Sequence, residues 1–243
     1  MTLLLAAVLM LAGTQAAPRT QFATSTDGTK IAYDTTGSGP VVILLHGGGA
    51  NRRSWHDAGY VARLAKEFTV VTMDIRGNGQ SDSPPTAAAF SPTRLNQDVL
   101  AVANAVKAER FVLWGFSYGA NVGRYLAAVS DRVRGMVYIG IQFGPAAEGM
   151  FREYILGLPN RPAWLAAILD YPPVEPSHMR SPTLWVVGTA NEGAYTSAKA
   201  YQPKLAGTRV TLAVFDGLTH SQEFTSIDQV LAKEVEFTRA LPR

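Results

Sequence analysis

Apolar and polar positions along the 243-residue chain alternate between two periods. The apolar runs Val41 to Leu45, Thr69 to Met73, Phe111 to Trp114, Val133 to Ile141, Thr183 to Val187 and Val210 to Phe215 read as strands, and the continuous ones suit strands buried on both faces. Between them lie stretches with helical spacing. These are Trp55 to Ala65, Pro92 to Lys107 with apolar Leu95, Val99, Val102 and Val106, the segment from Gly119 to about Val129, and Ser221 to Leu241 with Phe224, Ile227, Val230, Leu231 and Val235. Ahead of them, Gln21 to Ser25 and Lys30 to Thr35 flank Asp27-Gly28 and read as an antiparallel hairpin. Strands alternating with helices imply an α/β fold, a mostly parallel, doubly wound sheet with helices on both faces. Functional groups in such sheets gather at the carboxyl ends of the strands.

One segment, Gln142 to Ser181, breaks the alternation. It holds two short helical stretches, Met150–Leu156 and Ala163–Leu169, and the proline-rich Tyr171-Pro172-Pro173-Val174-Glu175-Pro176. Its place between two strands makes residues 145–180 a short lid within a single domain spanning residues 18–243. Phe151, Tyr154, Trp164 and Leu165 offer apolar surface there, for a ligand or for the core beneath.

Charge and composition remove several function classes. The 22 basic and 19 acidic residues leave a net charge of +3 without a Lys/Arg run, so nucleic-acid binding is not supported. With no cysteine there is no thiol nucleophile, thiolate metal site or disulfide. Leu3 to Leu11 is apolar but too short to span a bilayer, and Ala12-Gly13-Thr14-Gln15-Ala16-Ala17 follows it. Residues 1–17 therefore read as a signal peptide cut after Ala16 or Ala17, although Met1-Thr2 supplies no basic residue. That reading implies a secreted or periplasmic protein with no stable membrane insertion once the peptide is cleaved.

The chemistry is carried by Gly115-Phe116-Ser117-Tyr118-Gly119, set between an apolar run and a small-residue stretch. As strand, sharp turn and helix this is a G-x-S-x-G nucleophile elbow, in which a strained serine lifts its hydroxyl above the sheet edge at a helix N-terminus. Of four histidines, His46, His56, His178 and His220, only His220 satisfies the order serine, acid, histidine. Backbone amides of Tyr118 and of the loop His46-Gly47-Gly48-Gly49 form the oxyanion site, with Gly48 the first choice and Gly47 the second. The acid should follow Thr183–Val187, in Gly188-Thr189-Ala190-Asn191-Glu192. Asn191 holds the usual position, so either Glu192 serves one residue later or Asn191 orients the imidazole as a neutral partner. The strand Val133–Ile141 ends without a carboxylate, and the spacing of Asp216 and Glu223 beside His220 favours neither.

With Met73-Asp74-Ile75-Arg76-Gly77-Asn78-Gly79-Gln80-Ser81-Asp82, the glycine-rich loop and the elbow, residues 20 to 240 resemble the α/β-hydrolase superfamily. That stretch is similar to the D-x-R-G-x-G-x-S of its esterase, epoxide-hydrolase and dehalogenase branch. The resemblance makes Asp74, Arg76, Gly77, Gly79 and Ser81 structural. Members that open epoxides or displace halide carry Asp at the elbow, and Ser117 speaks against both. The expectation is a cofactor-independent, metal-free carboxylesterase-like enzyme acting on small to medium ester substrates. Lactonase or perhydrolase-like activity on the same triad, or a ligand-binding module with little turnover, are the alternatives.

Overall fold

Along each central strand, successive apolar side chains go to opposite faces of one sheet. The computed structural model describes residues 19–242, so the signal-peptide reading of residues 1–17 lies outside the described residues. Within them, the strands are β1 (Gln21–Thr24), β2 (Lys30–Thr36), β3 (Val41–Leu45), β4 (Thr69–Met73), β5 (Phe111–Phe116), β6 (Val133–Ile139), β7 (Thr183–Gly188) and β8 (Val210–Phe215). They lie in the order β1-β2-β4-β3-β5-β6-β7-β8. β2 pairs antiparallel with β1 and β4, and the pairings from β4 through β3 to β8 are parallel. The helices are α1 (Arg53–Asp57), α2 (Tyr60–Leu64), α3 (Pro92–Ala105), α4 (Tyr118–Val129), α5 (Gly149–Gly157), α6 (Ala163–Ala167), α7 (Glu192–Tyr201), α8 (Gln222–Thr225) and α9 (Ile227–Ala240).

The alternation builds two cores. Ile43, Leu45 and Leu113 pack with Leu95 and Val102 of α3 and Val122 and Leu126 of α4. Val42, Leu44, Val112 and Trp114 pack on the other face with Trp55, Tyr60 and Val230 of α1, α2 and α9. Each such side chain taken fully from water contributes about 1.5–3 kcal/mol, which makes this double burial the main stabilising term. Among the described residues no helix is long and apolar enough to cross a membrane.

Two of the expected helices are each divided. The stretch Trp55–Ala65 becomes α1 and α2 because Gly59 adopts a left-handed conformation (φ 85°) that ends one helix and starts the next. The stretch Ser221–Leu241 becomes α8 and α9 because Ser226 leaves the helical region (φ −84°, ψ 53°).

Two buried arginines fasten the segment after β4. Arg76 has no accessible surface; its guanidinium donates to Asp98 at 2.5 Å, to Asp27 in the hairpin turn at 2.9 Å and to the Ala89 carbonyl at 2.7 Å. Arg52 bridges Asp34 at 2.8 Å and Asp74. Asp74 also accepts the Arg52 and Gln80 amides at 2.7 and 2.8 Å, while Ser81 Oγ donates to the Asp74 carbonyl. A Cβ at Gly79 would stand 2.2 Å from the Asp74 carboxylate, so only glycine leaves room for it. Removing one member would strand a buried charge, costing about 3–5 kcal/mol.

The helix-packed core also holds an unpaired carboxyl. Glu234 of α9 is fully buried, neither of its oxygens has a protein partner, and burial pushes its pKa up to about 8. The Tyr60 hydroxyl also lacks a partner; burial first, then the Glu234 charge, raises its pKa. A carboxyl whose pKa is raised on folding binds more protons folded than unfolded. Its stabilising contribution is therefore complete below the ordinary carboxyl range and is lost as pH rises toward about 8. Glu234→Gln should gain thermal stability over the parent progressively between about pH 5 and pH 8, at about 2–4 °C per kcal/mol. Melting curves across that range check this, and a pH-independent offset between variant and parent would contradict it.

Candidate active site

At the end of β5 the chain must reverse into α4 within a few residues, and Ser117 takes the strained conformation, φ 53° and ψ −115°. The glycines two positions either side make this possible. A Cβ at Gly119 would lie 2.1 Å from the Leu45 carbonyl oxygen of β3, and one at Gly115 would lie 2.6 Å from the Ala120 nitrogen. Ser117 N–H donates to the Ile139 carbonyl of β6 at 3.0 Å, and its own carbonyl accepts the Asn121 amide at 2.9 Å. The elbow is thereby tied to both neighbouring strands and to its helix.

The loop after β3 reaches the same point. His46 is fully buried, and Ile75 N–H donates to its Nε2 at 3.0 Å. Nε2 therefore carries no proton, and Nδ1–H donates to the Gly47 carbonyl at 2.8 Å. Burial depresses the pKa of this imidazole, which stays neutral and pins the loop to the segment after β4. Gly48 and Tyr118 line a cavity beside Ser117, and a Cβ on Gly48 would lie 3.6 Å from that of Tyr118. The Tyr118 amide, in the first turn of α4, has no intrahelical acceptor and is free to donate. Gly47 lies behind this pair, against Phe116 and the Cβ of Ser117. Trp164 of α6 covers the loop so closely that a Cβ on Gly48 would come within 2.7 Å of its ring, and it packs on Tyr118 at 4.7 Å between centroids.

His220 follows β8, and its Nε2 lies 3.1 Å from Ser117 Oγ. Its ring stacks on Phe116, with centroids 5.0 Å apart, and Phe116 in turn stacks on Phe224. Nδ1 is 3.5 Å from Oε2 of Glu223, whose side chain is inaccessible to solvent. Glu223 Oε1 accepts the Gly188 amide at 2.5 Å, and the Asn191 side-chain amide donates to the two carboxylate oxygens at 3.1 and 2.9 Å. Asn191 Nδ2 also lies 3.3 Å from His220 Nδ1. An amide nitrogen only donates, so when Nδ1 carries its proton that contact is not a bond, and the carboxylate nearest that proton is Glu223, 3.5 Å from Nδ1.

The structure thus brings together Ser117, His220, Gly48, Tyr118 and Asn191, with Gly47 behind them. It does not bring Glu192 to the histidine. Glu192 is the first residue of α7, exposed, and no hydrogen bond or ion pair joins it to His220. Asn191 is the residue that caps that helix, and a step of one residue turns the next side chain about 100° around the helix axis. The carboxylate at the imidazole is Glu223, to which the spacing in the sequence does not point. Asp216 accepts from Thr189 Oγ1 instead. A cue for Glu223 did exist in the chain. Both strand ends that could carry an acid hold non-acidic residues, Gly140 and Asn191, and a glutamate stands three residues past the histidine. Gly140 also shows why the first of these is empty, since a Cβ there would lie 2.8 Å from Glu223 Oε2 and 3.1 Å from the His220 ring.

These groups open into a cavity of about 760 Å³. Phe151, Tyr154, Trp164 and Leu165 all line it, along with Asn121 and Arg124 from α4. Asp74 and Arg76 are not among its walls. Among the described residues no group of His, Asp or Glu is arranged to hold a metal ion. Chemically, the arrangement can move a proton from a hydroxyl to an imidazole backed by a carboxylate. It can also meet developing negative charge with backbone amides.

Comparison with known proteins places this geometry in a family. Residues 40–170 match the family model described as alpha/beta hydrolase fold. Epoxide hydrolase 3 of Siraitia grosvenorii is 29% identical over 123 residues, half of this chain but 38% of that protein. The chain spans less than two thirds of the curated relatives it matches. An esterase from Rhodococcus sp. superposes with a TM-score of 0.73 at 24% identity, covering 92% of this chain and 99% of that one. An epoxide hydrolase from Vigna radiata does so with a TM-score of 0.74 at 17% identity, covering 93% and 99%. With the sheet order, the elbow and the family match in agreement, the chain belongs to the α/β-hydrolase fold family.

Proposed function

We propose that the protein is a serine hydrolase that cleaves carboxylic esters through an acyl-enzyme. The observation that carries this reading is the 3.1 Å approach of His220 Nε2 to Ser117 Oγ at a strained turn, with buried Glu223 behind the imidazole. In the forward step, Ser117 Oγ bonds to the ester carbonyl carbon while its proton passes to His220 Nε2. Glu223 accepts from Nδ1–H and offsets the imidazolium charge. The carbonyl oxygen becomes an oxyanion held by the amides of Tyr118 and Gly48, each such donor contributing about 3–4 kcal/mol to the transition state. The tetrahedral species collapses, the C–O bond breaks, and Nε2–H protonates the departing alkoxide. A water then enters, gives its proton to Nε2 and attacks the acyl carbon; the proton returns to Ser117 as the acid leaves. No cofactor or metal enters any step.

Curated relatives include proteins named epoxide hydrolases, yet the residue at the elbow supports an acyl substrate. Attack of a serine oxygen on an epoxide carbon would give an alkyl ether. An ether has no carbonyl for water to attack, so the enzyme would stop after one turnover. Attack on an ester gives another ester, which the same histidine can hydrolyse. A lactone is an internal ester and falls under the same chemistry.

Ser117→Ala should abolish ester hydrolysis, with residual activity below about a hundredth of the parent, and leave thermal unfolding nearly unchanged. Steady-state rates on p-nitrophenyl butyrate read the first effect, and greater residual activity would contradict the role given to Ser117. Glu223→Gln should lower kcat by about a thousandfold or more, whereas Glu192→Gln should stay near the parent value. The reverse order would return the acid to Glu192.

A further inference from the structure

Three arginines of the described residues are fully or almost fully buried, and only two have carboxylate partners. Arg52 is paired with Asp34 and Asp74, and Arg76 with Asp27 and Asp98. Arg124 has no ion-pair partner among the described residues. Its Nη1 donates to the Tyr138 hydroxyl and the Gln142 carbonyl, both at 3.3 Å, and its Nη2 to the Tyr125 hydroxyl at 3.2 Å. Its Nε has no acceptor at all. The guanidinium lies 5.2 Å from the centre of the Tyr125 ring, which spreads the charge without cancelling it. The acidic residues of that neighbourhood, Glu148 and Glu175, act on Tyr201 and form no ion pair with Arg124. An isolated buried cation is costly unless something neutralises it.

Its position says what that something is. Arg124 stands seven residues past Ser117 on α4, about two helical turns along one face. Helical side chains lean back toward the N-terminus, so its long stem runs toward the elbow. Arg124 contributes to the walls of the same cavity as Ser117. One turn nearer the serine, Asn121 lines that cavity too, with its amide oxygen unpartnered. Ile141, Leu158, Leu165 and Ile168 add apolar surface to the same cavity.

We propose that Arg124 is a specificity determinant that binds a carboxylate on the substrate. The preferred substrates are then esters joined through a short apolar chain to a free carboxylate. This rests on the reading of the cavity as the ester-binding site. The Arg124 guanidinium would donate two parallel bonds to the carboxylate oxygens, the paired geometry that a guanidinium provides and an ammonium does not. The apolar surface would take the intervening methylenes.

The test separates binding from turnover. In the Ser117→Ala background, calorimetry would measure binding of the monomethyl esters of dicarboxylic acids from succinate to suberate, each against its dimethyl ester. Omega-acetoxy acids, which place the carboxylate on the alcohol side, would be compared with their methyl esters. In at least one of these series the carboxylate form should bind about tenfold or more tightly than its neutral counterpart. Adding Arg124→Gln should abolish that difference, and Arg124→Lys, which keeps the charge but not the fork, should retain part of it. Equal binding of charged and neutral forms throughout would overturn the proposal. So would discrimination that survives Arg124→Gln in a folded variant. Should Arg124→Gln not fold, the comparison of charged and neutral forms and the Arg124→Lys variant still decide. Hydrolysis of a neutral butyrate ester by the parent reports separately on the ester-hydrolase reading, so failure of one can be told from failure of the other.

Discussion

At Ser117 the backbone sits in a region that a side chain rarely occupies, a strain costing about 1–3 kcal/mol. It persists because β5 and α4 are each anchored in the core. Trp114 and Leu113 fix the strand, Val122 and Leu126 fix the helix, and the turn between them has no length to spare. The same constraint brings the first turn of α4 to within van der Waals distance of the β3 carbonyls, where only glycine fits at position 119. The free amide at Tyr118, the height of the serine hydroxyl and the meeting of the β3 loop with the elbow all follow from that one tight reversal. Strain held by the core is what sets the hydroxyl 3.1 Å from His220 Nε2.

The carboxylate behind His220 obeys a second constraint, steric at one neighbour and electrostatic at the other. Three segments converge beneath the imidazole: the end of β6, the end of β7 and the first turn of α8. A Cβ at position 140 would crowd Glu223, and a second carboxylate in place of Asn191 would repel it at hydrogen-bond distance. Glu223 takes the space, Gly140 vacates it, and the Gly188 amide and Asn191 side chain donate to the carboxylate oxygens and fix their position. Asn191 thus looks like a lost acid in the sequence and is a donor to the Glu223 carboxylate in space.

Much of this was legible in the chain because it is local. The apolar runs of β3, β5 and β7 announce doubly buried strands, and Gly115 and Gly119 around Ser117 announce the elbow. The order of residues also selects His220 from four histidines. Glu223 was not legible by the same rule, since the rule places the acid at a strand end and this one stands on a four-residue helix. Its role depends on how α8 folds back under His220, which is set by Phe224 stacking on Phe116 and Tyr60, a contact between residues far apart in sequence. The division of α8 from α9 at Ser226 was hidden for a similar reason, since serine is compatible with helix, whereas the break at Gly59 carried its own signal. Arg124 was hidden because an arginine seven residues into a helix reads as a solvated residue until the cavity above it is seen.

Whether Ser117, His220 and Glu223 act as one unit is tested most directly by treating the folded protein with a fluorophosphonate and mapping the product by intact mass and peptide sequencing. A hydroxyl activated by His220 should give a single adduct on Ser117, absent when the protein is heat-denatured beforehand. Absence of an adduct on the folded protein, or an adduct on any other residue, would contradict the assembly described.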